Sequence, residues 1–192
     1  MNSKMMKQRA VFLDRDGTVN VEKEYLSRIE DFEFIPGSKE AIRRLRDAGF
    51  LIVVVTNQSG IGRGYYSEKD LKSLHQFMED ELAKIGAGID GWYFCPHHPT
   101  HGIGEYGLEC SCRKPMPGML LTAAVDLDID LSASFMVGDK CVDVEAGLRA
   151  GCRSILVKTG YGMADSAVLP EGVNVSNDLS DATNLIISTV KV

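Results

Sequence analysis

Three polar clusters in this sequence each stand directly behind a short apolar run. Asp14-Arg15-Asp16-Gly17-Thr18 follows Ala10 to Leu13, Thr56-Asn57 follows Leu51 to Val55, and Gly138-Asp139-Lys140, with Asp143 one turn on, closes the run from Ser134 to Val137. Residues two apart in extended chain project to the same side, so Asp14 and Asp16 can address one substrate, and Gly17 permits a sharp turn behind them. Carboxylates that close repel. A divalent cation with oxygen ligands relieves the repulsion, Asp139 is the third carboxylate for it, and magnesium suits a site that keeps positions open for water and a phosphate oxygen. An ionised aspartate can attack phosphorus and split hydrolysis into transfer to the enzyme and attack by water on the acyl phosphate. Asp14 is the expected nucleophile, and Asp16 the group that protonates the leaving alkoxide and later accepts a proton from water. The phosphoryl oxygens need donors and a second cation, for which Thr56 and Lys114 are the candidates. Asp-x-Asp-Gly alone could be a solvated turn. Its company, Thr56-Asn57, Arg113-Lys114-Pro115 and Gly138-Asp139 with Asp143, favours a site.

A second constellation is Cys95-x-His97, twelve intervening residues, then Cys110-x-Cys112. Three sulfurs and one imidazole match a tetrahedral structural zinc site, and the closed shell leaves no place for substrate. Arg113 and Lys114 follow the last ligand directly, so zinc would hold the loop that carries them. Cys141 and Cys152 read as packing residues, and His98 and His101 as exposed loop residues, with His98 the competitor to His97 for the metal. Gly60, Gly62 and Gly64 do not have the spacing of a nucleotide-binding loop, and they read as a tight loop beside Thr56 with Arg63 in a structural role.

The elements that must position these groups alternate between β-type runs and helical periods, which predicts an α/β fold with a parallel sheet. Strands are expected at Ala10 to Leu13, Leu51 to Val55, Trp92 to Cys95, Ser134 to Val137, Ser154 to Val157 and, more weakly marked, Val173 to Val175. Helices are expected at Ser38 to Ala48, from Ser67 with Asp70 in a capping box, at Gly118 to Leu127, Val142 to Ala150 and Asp181 to Val190. The segment from Pro96 to Cys112 is too polar for a core element.

At 192 residues, 44% hydrophobic and 25% charged, the chain reads as one domain with a core of its own. No run approaches the roughly 18 apolar residues that span a bilayer, and the stretch Met1 to Gln8 with the short run behind it does not make a signal peptide, so a cytoplasmic location is expected. A net charge of −6 without a basic stripe argues against extended nucleic acid. Five cysteines without an export signal point to metal ligation or free thiols.

With Asp14 to Thr18, Thr56, Lys114 and Gly138-Asp139 with Asp143 in order, the chain resembles the haloacid-dehalogenase superfamily of phosphohydrolases. That resemblance implies a Rossmann-like three-layer α/β/α parallel sheet without a separate cap domain, and hence a site open to small substrates. Phe12 to Thr18, Val55 to Gly64, Cys95 to Pro99, Cys110 to Pro115 and Met136 to Lys140 resemble, within it, the family that removes the C7 phosphate of heptose 1,7-bisphosphates and feeds lipopolysaccharide heptose synthesis in bacteria. The resemblance implies magnesium on Asp14, Asp16 and Asp139, with Asp143 behind them. It implies substrate contacts from Glu22, Lys23, Glu24, Tyr25, Thr56, Asn57, Gln58, Ser59, Arg113, Lys114 and Lys140. The expected partner is a small phosphorylated sugar met by a monomer, with no nucleic acid and no membrane. Histidinol-phosphate phosphatases share the frame and a similar zinc loop, but tend to an acidic residue where this chain has Ser59 and lack the Arg63-Gly64 pair. Polynucleotide 3′-phosphatases resemble Asn57 to Gly64, yet the zinc ligands and the missing basic groove argue against them. A non-enzymatic phosphosugar-binding module would have little use for both Asp14 and Asp16.

Overall fold

The computed structural model describes residues 7–166 and 169–190, the last of these by its backbone; residues 1–6 of the N-terminal stretch read above lie outside it. Six strands, β1 (Ala10–Leu13), β2 (Leu51–Asn57), β3 (Gly91–Cys95), β4 (Phe135–Gly138), β5 (Arg153–Val157) and β6 (Asn174–Ser176), form one parallel sheet in the order β3-β2-β1-β4-β5-β6. The helices are α1 (Ser38–Asp47), α2 (Ser59–Gly62), α3 (Glu68–Ala83), α4 (Gly118–Asp126), α5 (Cys141–Ala150), α6 (Gly162–Asp165) and α7 (Leu179–Val190).

Alternation along β1 creates two cores. Val11 and Leu13 point to the face covered by α1, α3 and α7, where they meet Ile42, Leu45, Met78 and Ile186; Ala10 and Phe12 point to the face of α4 and α5, with Leu120, Ala123 and Ala146. A strand buried on both faces has no use for polar alternation, which is why Leu51 to Val55 reads as an unbroken apolar run. The chain builds outward from β1 to β3 and then returns to place β4 on the other flank of β1. The reversal opens a crevice beyond the carboxyl end of β1, where ligands of open α/β sheets bind. The inserts after β1 and β3 hold no element longer than the 3-10 turns Ile29–Asp31 and Gly104–Tyr106 and isolated bridges of Asn20 to Asp16 and Phe34, so no cap domain covers that crevice among the described residues.

Local signals explain the boundaries. The Ser67 side chain accepts from Asp70 N at 3.2 Å while Asp70 Oδ2 accepts from Ser67 N at 2.8 Å, the predicted capping box of α3. Strand β2 runs two residues beyond the apolar run, because Thr56 and Asn57 pair with Phe94 and Cys95 of β3. Ser59 to Gly62, read as a tight loop, forms the short helix α2, and α7 starts two residues earlier than its apolar period suggests. No helix among the described residues is long and apolar enough to cross a membrane.

Candidate active site

Asp14 is the first residue after β1, and its N–H donates to Val137 O of β4 at 2.9 Å, which fixes it at the reversal point of the sheet. Lys114 arrives from the far end of the polar loop and is itself buried, at 3% exposure. Its Nζ donates to Asp14 Oδ1 at 2.7 Å and Val55 O at 2.8 Å, and forms an ion pair with Asp143 Oδ1, also at 2.7 Å. Burial opposes the charge, but the carboxylates of Asp14 and Asp143 more than offset it and hold Lys114 protonated above the usual lysine range.

Asp139, the first residue after β4, completes a buried triad. Carboxylate oxygens of Asp14, Asp139 and Asp143 lie within 4.8 Å of one another. Burial, and next to it the charge of Asp14, push both Asp139 and Asp143 upward. Asp139 Oδ2 accepts from Tyr161 N at 2.8 Å, whereas Oδ1 is buried with no hydrogen-bond partner among the described residues. A buried carboxylate oxygen without a donor, beside two further carboxylates and with one lysine shared between those two, fits a divalent cation. All-oxygen donors favour a hard one. Gly17 (φ +80°) is needed at the turn, since a Cβ there would stand 2.2 Å from Asp139 Oδ2.

Asp16 is not in that triad. Its carboxylate accepts from Arg15 Nε at 3.2 Å and Nη2 at 2.9 Å, from Asn20 Nδ2 at 3.0 Å and from Gln58 Nε2 at 3.0 Å. Against the burial that resists ionisation, the fully buried Arg15 guanidinium and then the Asn20 and Gln58 amides hold Asp16 below the usual carboxylate range. Two-residue spacing alone puts Asp14 and Asp16 on one side. The turn at Gly17 and the pull of Arg15 separate their carboxyl groups.

These groups open into a cavity of about 390 Å³. Its wall includes Asp14, Asp16, Glu22, Glu24, Tyr25, Thr56, Asn57, Gln58, Ser59, Arg113, Lys114 and Lys140, so nearly all of the expected substrate contacts converge there. Lys23 is the exception: it alternates with Glu22 along the chain and faces Glu33, 3.4 Å away, while Glu22 reaches Lys140 Nζ at 3.1 Å. Burial opposes charge on Lys140, yet Asp139, Asp14 and Glu22 hold it protonated. Asn57 is a clamp, donating from Nδ2 to Lys114 O and accepting from Lys114 N, both at 3.1 Å. Tyr66 and Tyr161 also line the cavity and were not expected. Thr159 and Tyr161 stand just past β5, where the rule that singled out the other clusters applies equally; Thr159 Oγ1 donates to Gly17 O at 2.6 Å. Nothing near Tyr66 in sequence announces its position.

The second constellation gathers as a cluster beside this pocket. Sulfur–sulfur distances among Cys95, Cys110 and Cys112 are 3.2, 3.2 and 3.5 Å, and His97 Nδ1 lies 3.4 Å from Cys112 Sγ and 3.7 Å from Cys95 Sγ. Ligand sulfurs about 2.3 Å from a tetrahedral zinc stand about 3.8 Å apart, so the cluster is close to the edges of such a tetrahedron. The cysteines are free, and the spacings are far beyond a disulfide's roughly 2.05 Å. His98 is occupied elsewhere, accepting at Nδ1 from Thr100 N and His101 N at 3.3 and 3.2 Å. The loop docks on α2 through Gly62 N to Pro96 O at 3.2 Å and Ile103 N to Gly62 O at 2.7 Å. Arg113 Nη1 donates to His97 O at 3.2 Å, so a cluster residue orients the arginine at the pocket wall.

Comparison with known proteins agrees with this geometry. A HAD-hydrolase-like family model matches residues 111–182. The chain is 46% identical to the D-glycero-beta-D-manno-heptose-1,7-bisphosphate 7-phosphatase of Escherichia coli (strain K12), covering 92% of this chain and 93% of that one. It is 52% identical to the D-glycero-alpha-D-manno-heptose-1,7-bisphosphate 7-phosphatase of Burkholderia mallei (strain ATCC 23344), covering 79% and 80%. Among solved structures, D,D-heptose 1,7-bisphosphate phosphatase from B. bronchiseptica, complexed with magnesium and phosphate, superposes with a TM-score of 0.86 at 36% identity, covering 95% of this chain and all of that one.

Proposed function

We infer the chemistry of this pocket from one premise: the chain belongs to the heptose-1,7-bisphosphate 7-phosphatases, a family of HAD-type hydrolases. It is a phosphoric monoester hydrolase that removes the C7 phosphate of D-glycero-D-manno-heptose 1,7-bisphosphate and leaves heptose 1-phosphate. The observation that carries the mechanism is the buried contact of Lys114 Nζ with Asp14 Oδ1, which ties down one carboxylate oxygen and leaves the second for attack. Asp14 bonds to phosphorus as the bond to the C7 oxygen breaks; Asp16, ionised in the free site, takes up a proton from solvent as the phosphate's negative charge enters beside it and passes that proton to the leaving oxygen. Water then attacks the aspartyl phosphate, Asp16 takes its proton, and Asp14 is regenerated as phosphate leaves. The Thr56 hydroxyl and the Lys114 charge stabilise the equatorial oxygens during both transfers.

Asp14 and Asp139 would hold a magnesium ion, with Asp143 supporting them, and the ion would draw charge from the phosphoryl oxygens. Because Arg15, Asn20 and Gln58 occupy the Asp16 carboxylate, we assign that side chain to proton transfer rather than to the metal. Cys95, His97, Cys110 and Cys112 would hold a structural zinc.

Selectivity for a bisphosphate rests on Arg113. A guanidinium can grip the remote C1 phosphate with two parallel hydrogen bonds, and Arg113 lines the wall one residue from Lys114. Arg113→Ala should lower kcat/KM on the bisphosphate by about one to two decades, the roughly 1.5–3 kcal/mol of a charged hydrogen bond. A simple sugar monophosphate, or histidinol phosphate, should change far less. Equal losses on all three would remove Arg113 from substrate recognition.

A further inference from the structure

Gln58 is 3% exposed, and its side chain is almost fully committed inside the protein. Nε2 donates to Asp16 Oδ2 at 3.0 Å and to Thr56 Oγ1 at 2.9 Å, while Oε1 accepts from Tyr66 OH at 2.5 Å. An amide has two N–H donors, and both are used on groups that the reaction needs. Chemistry fixes which end of the amide faces which way. The Asp16 carboxylate already accepts from Arg15 and Asn20, so the NH₂ group faces it as a further donor and the carbonyl faces Tyr66. The phenol must then donate, and burial pushes Tyr66 upward so that its proton stays in place.

We propose that Tyr66 and Gln58 form a positioning relay for the 7-phosphatase reaction, in which the Tyr66 hydroxyl sets the Gln58 amide and the amide aims the proton carrier Asp16. This rests on the reading of Asp16 given above. Arg15 and Asn20 grip Asp16 as well, and Gln58 and Asn20 differ in what else they hold: Gln58 lines the cavity and reaches a second functional group. By donating to Thr56 Oγ1 it occupies that oxygen as an acceptor. The Thr56 proton has no acceptor among the described residues and is free for a phosphoryl oxygen. One amide therefore orients the leaving-group acid and a phosphoryl donor together. Sequence position prepares the relay. A Cβ at residue 60 would stand 2.2 Å from Tyr66 Cε1, so Gly60 makes room for the ring beside the amide. Gln58 N donates to Cys95 O at 2.8 Å, which fixes the backbone from which the amide reaches in.

The test uses leaving groups. An alkoxide needs a proton as it departs, whereas p-nitrophenolate does not, so a defect in aiming Asp16 must fall mainly on the sugar substrate. Tyr66→Phe keeps the ring and removes one hydrogen bond. Its kcat on heptose 1,7-bisphosphate should fall by about three- to tenfold with KM nearly unchanged, and kcat on p-nitrophenyl phosphate should fall much less. Gln58→Met, which keeps the length and removes all three bonds, should show the same discrimination with a larger loss. Asp16→Asn serves as reference and should discriminate most. Equal losses on both substrates, or no loss in Tyr66→Phe, would overturn the relay while a discriminating Asp16→Asn leaves the phosphatase mechanism standing. If Asp16→Asn itself treats both substrates alike, the proton-transfer role of Asp16 fails, and the relay fails with it.

Discussion

At the carboxyl end of β1 the polar groups are held by the sheet, whereas around Cys95, His97, Cys110 and Cys112 they are held by one another. The first region sets Asp14, Asp139 and Asp143 on strand and helix termini with buried cores on both sides. It keeps its shape although three carboxylates repel, because β1, β2 and β4 leave the side chains nowhere else to go. The second region spans a polar segment from Pro96 to Lys114 with little apolar content. Its order rests on four clustered side-chain atoms and a few backbone contacts with α2. Packing can thus hold a charged site at electrostatic cost, while a loop without a core relies on its own polar groups, the set we propose to hold zinc. The regions meet at two clamps, Asn57 with the Lys114 backbone and Gln58 N with Cys95 O.

The largest expected effect comes from the sheet-held region. Asp14→Asn removes the nucleophilic charge and should reduce turnover to background. The fold should survive, because Lys114 keeps Asp143 at 2.7 Å and Val55 O at 2.8 Å, and one of three repelling charges is gone. A thermal melt in chelator should show no loss of stability relative to the parent protein. Substantial turnover in clean Asp14→Asn protein would sink the covalent mechanism, and a large drop in melting temperature would show that the site helps to hold the sheet.

The cysteine-histidine region should fail differently. Cys110→Ser should lower bound zinc from about one per chain, as measured by elemental analysis, and speed proteolysis and amide exchange within residues 96–113. Amides of β1, β2 and β4 should remain protected, since the domain has its own core. The Asn57 clamp should keep Lys114 near Asp14, whereas Arg113 loses the orientation supplied by His97 O. Activity on the bisphosphate should therefore fall more than activity on a monophosphate. Unchanged zinc content would remove Cys110 from the ligand set, and collapse of the strand amides would dissolve the contrast between the regions.

Much of this arrangement can be read from residue order. Apolar runs of three to five residues announce β1, β2, β4 and β5, and in a parallel sheet their ends must gather on one side, so Asp14, Thr56 and Asp139 converge without knowledge of side-chain angles. The cysteine and histidine pairs are legible for a similar reason: each spans three residues and needs only to be brought to the other. What escapes the sequence is the direction of individual side chains. Asp16 turns to Arg15, Lys23 turns to Glu33, and Gln58 turns inward to Tyr66, because local donors compete for them over distances that no periodicity encodes. Thr159 and Tyr161 were within reach of the strand-end rule, since they follow β5 directly.

The smallest effect concerns acid, where both regions weaken and a single residue can separate them. His75 of α3 stacks on Trp92 of β3, with ring centroids 4.1 Å apart and planes 20° apart, and its Nε2 has no partner among the described residues. Burial, with the Arg15 charge adding to it, pushes the imidazole down to about 3. In the unfolded chain the same group titrates near about 6.5. Between those values the unfolded state carries a proton that the native state refuses, so the stability contribution is full above about 6.5 and is lost as pH falls towards about 3. The slope is at most about 1.4 kcal/mol per pH unit for this single group. A zinc held by the cysteine cluster would also be released in acid, because metal affinity needs deprotonated ligands, and the two losses would overlap in the intact protein. Melts of zinc-depleted protein between pH 7 and 4 remove the second contribution. There the parent should lose stability with falling pH more steeply than His75→Gln, whatever constant offset the substitution introduces, while zinc-loaded samples of both should release metal at the same pH. Parallel slopes in the zinc-depleted proteins would show that the sheet's acid sensitivity does not come from His75.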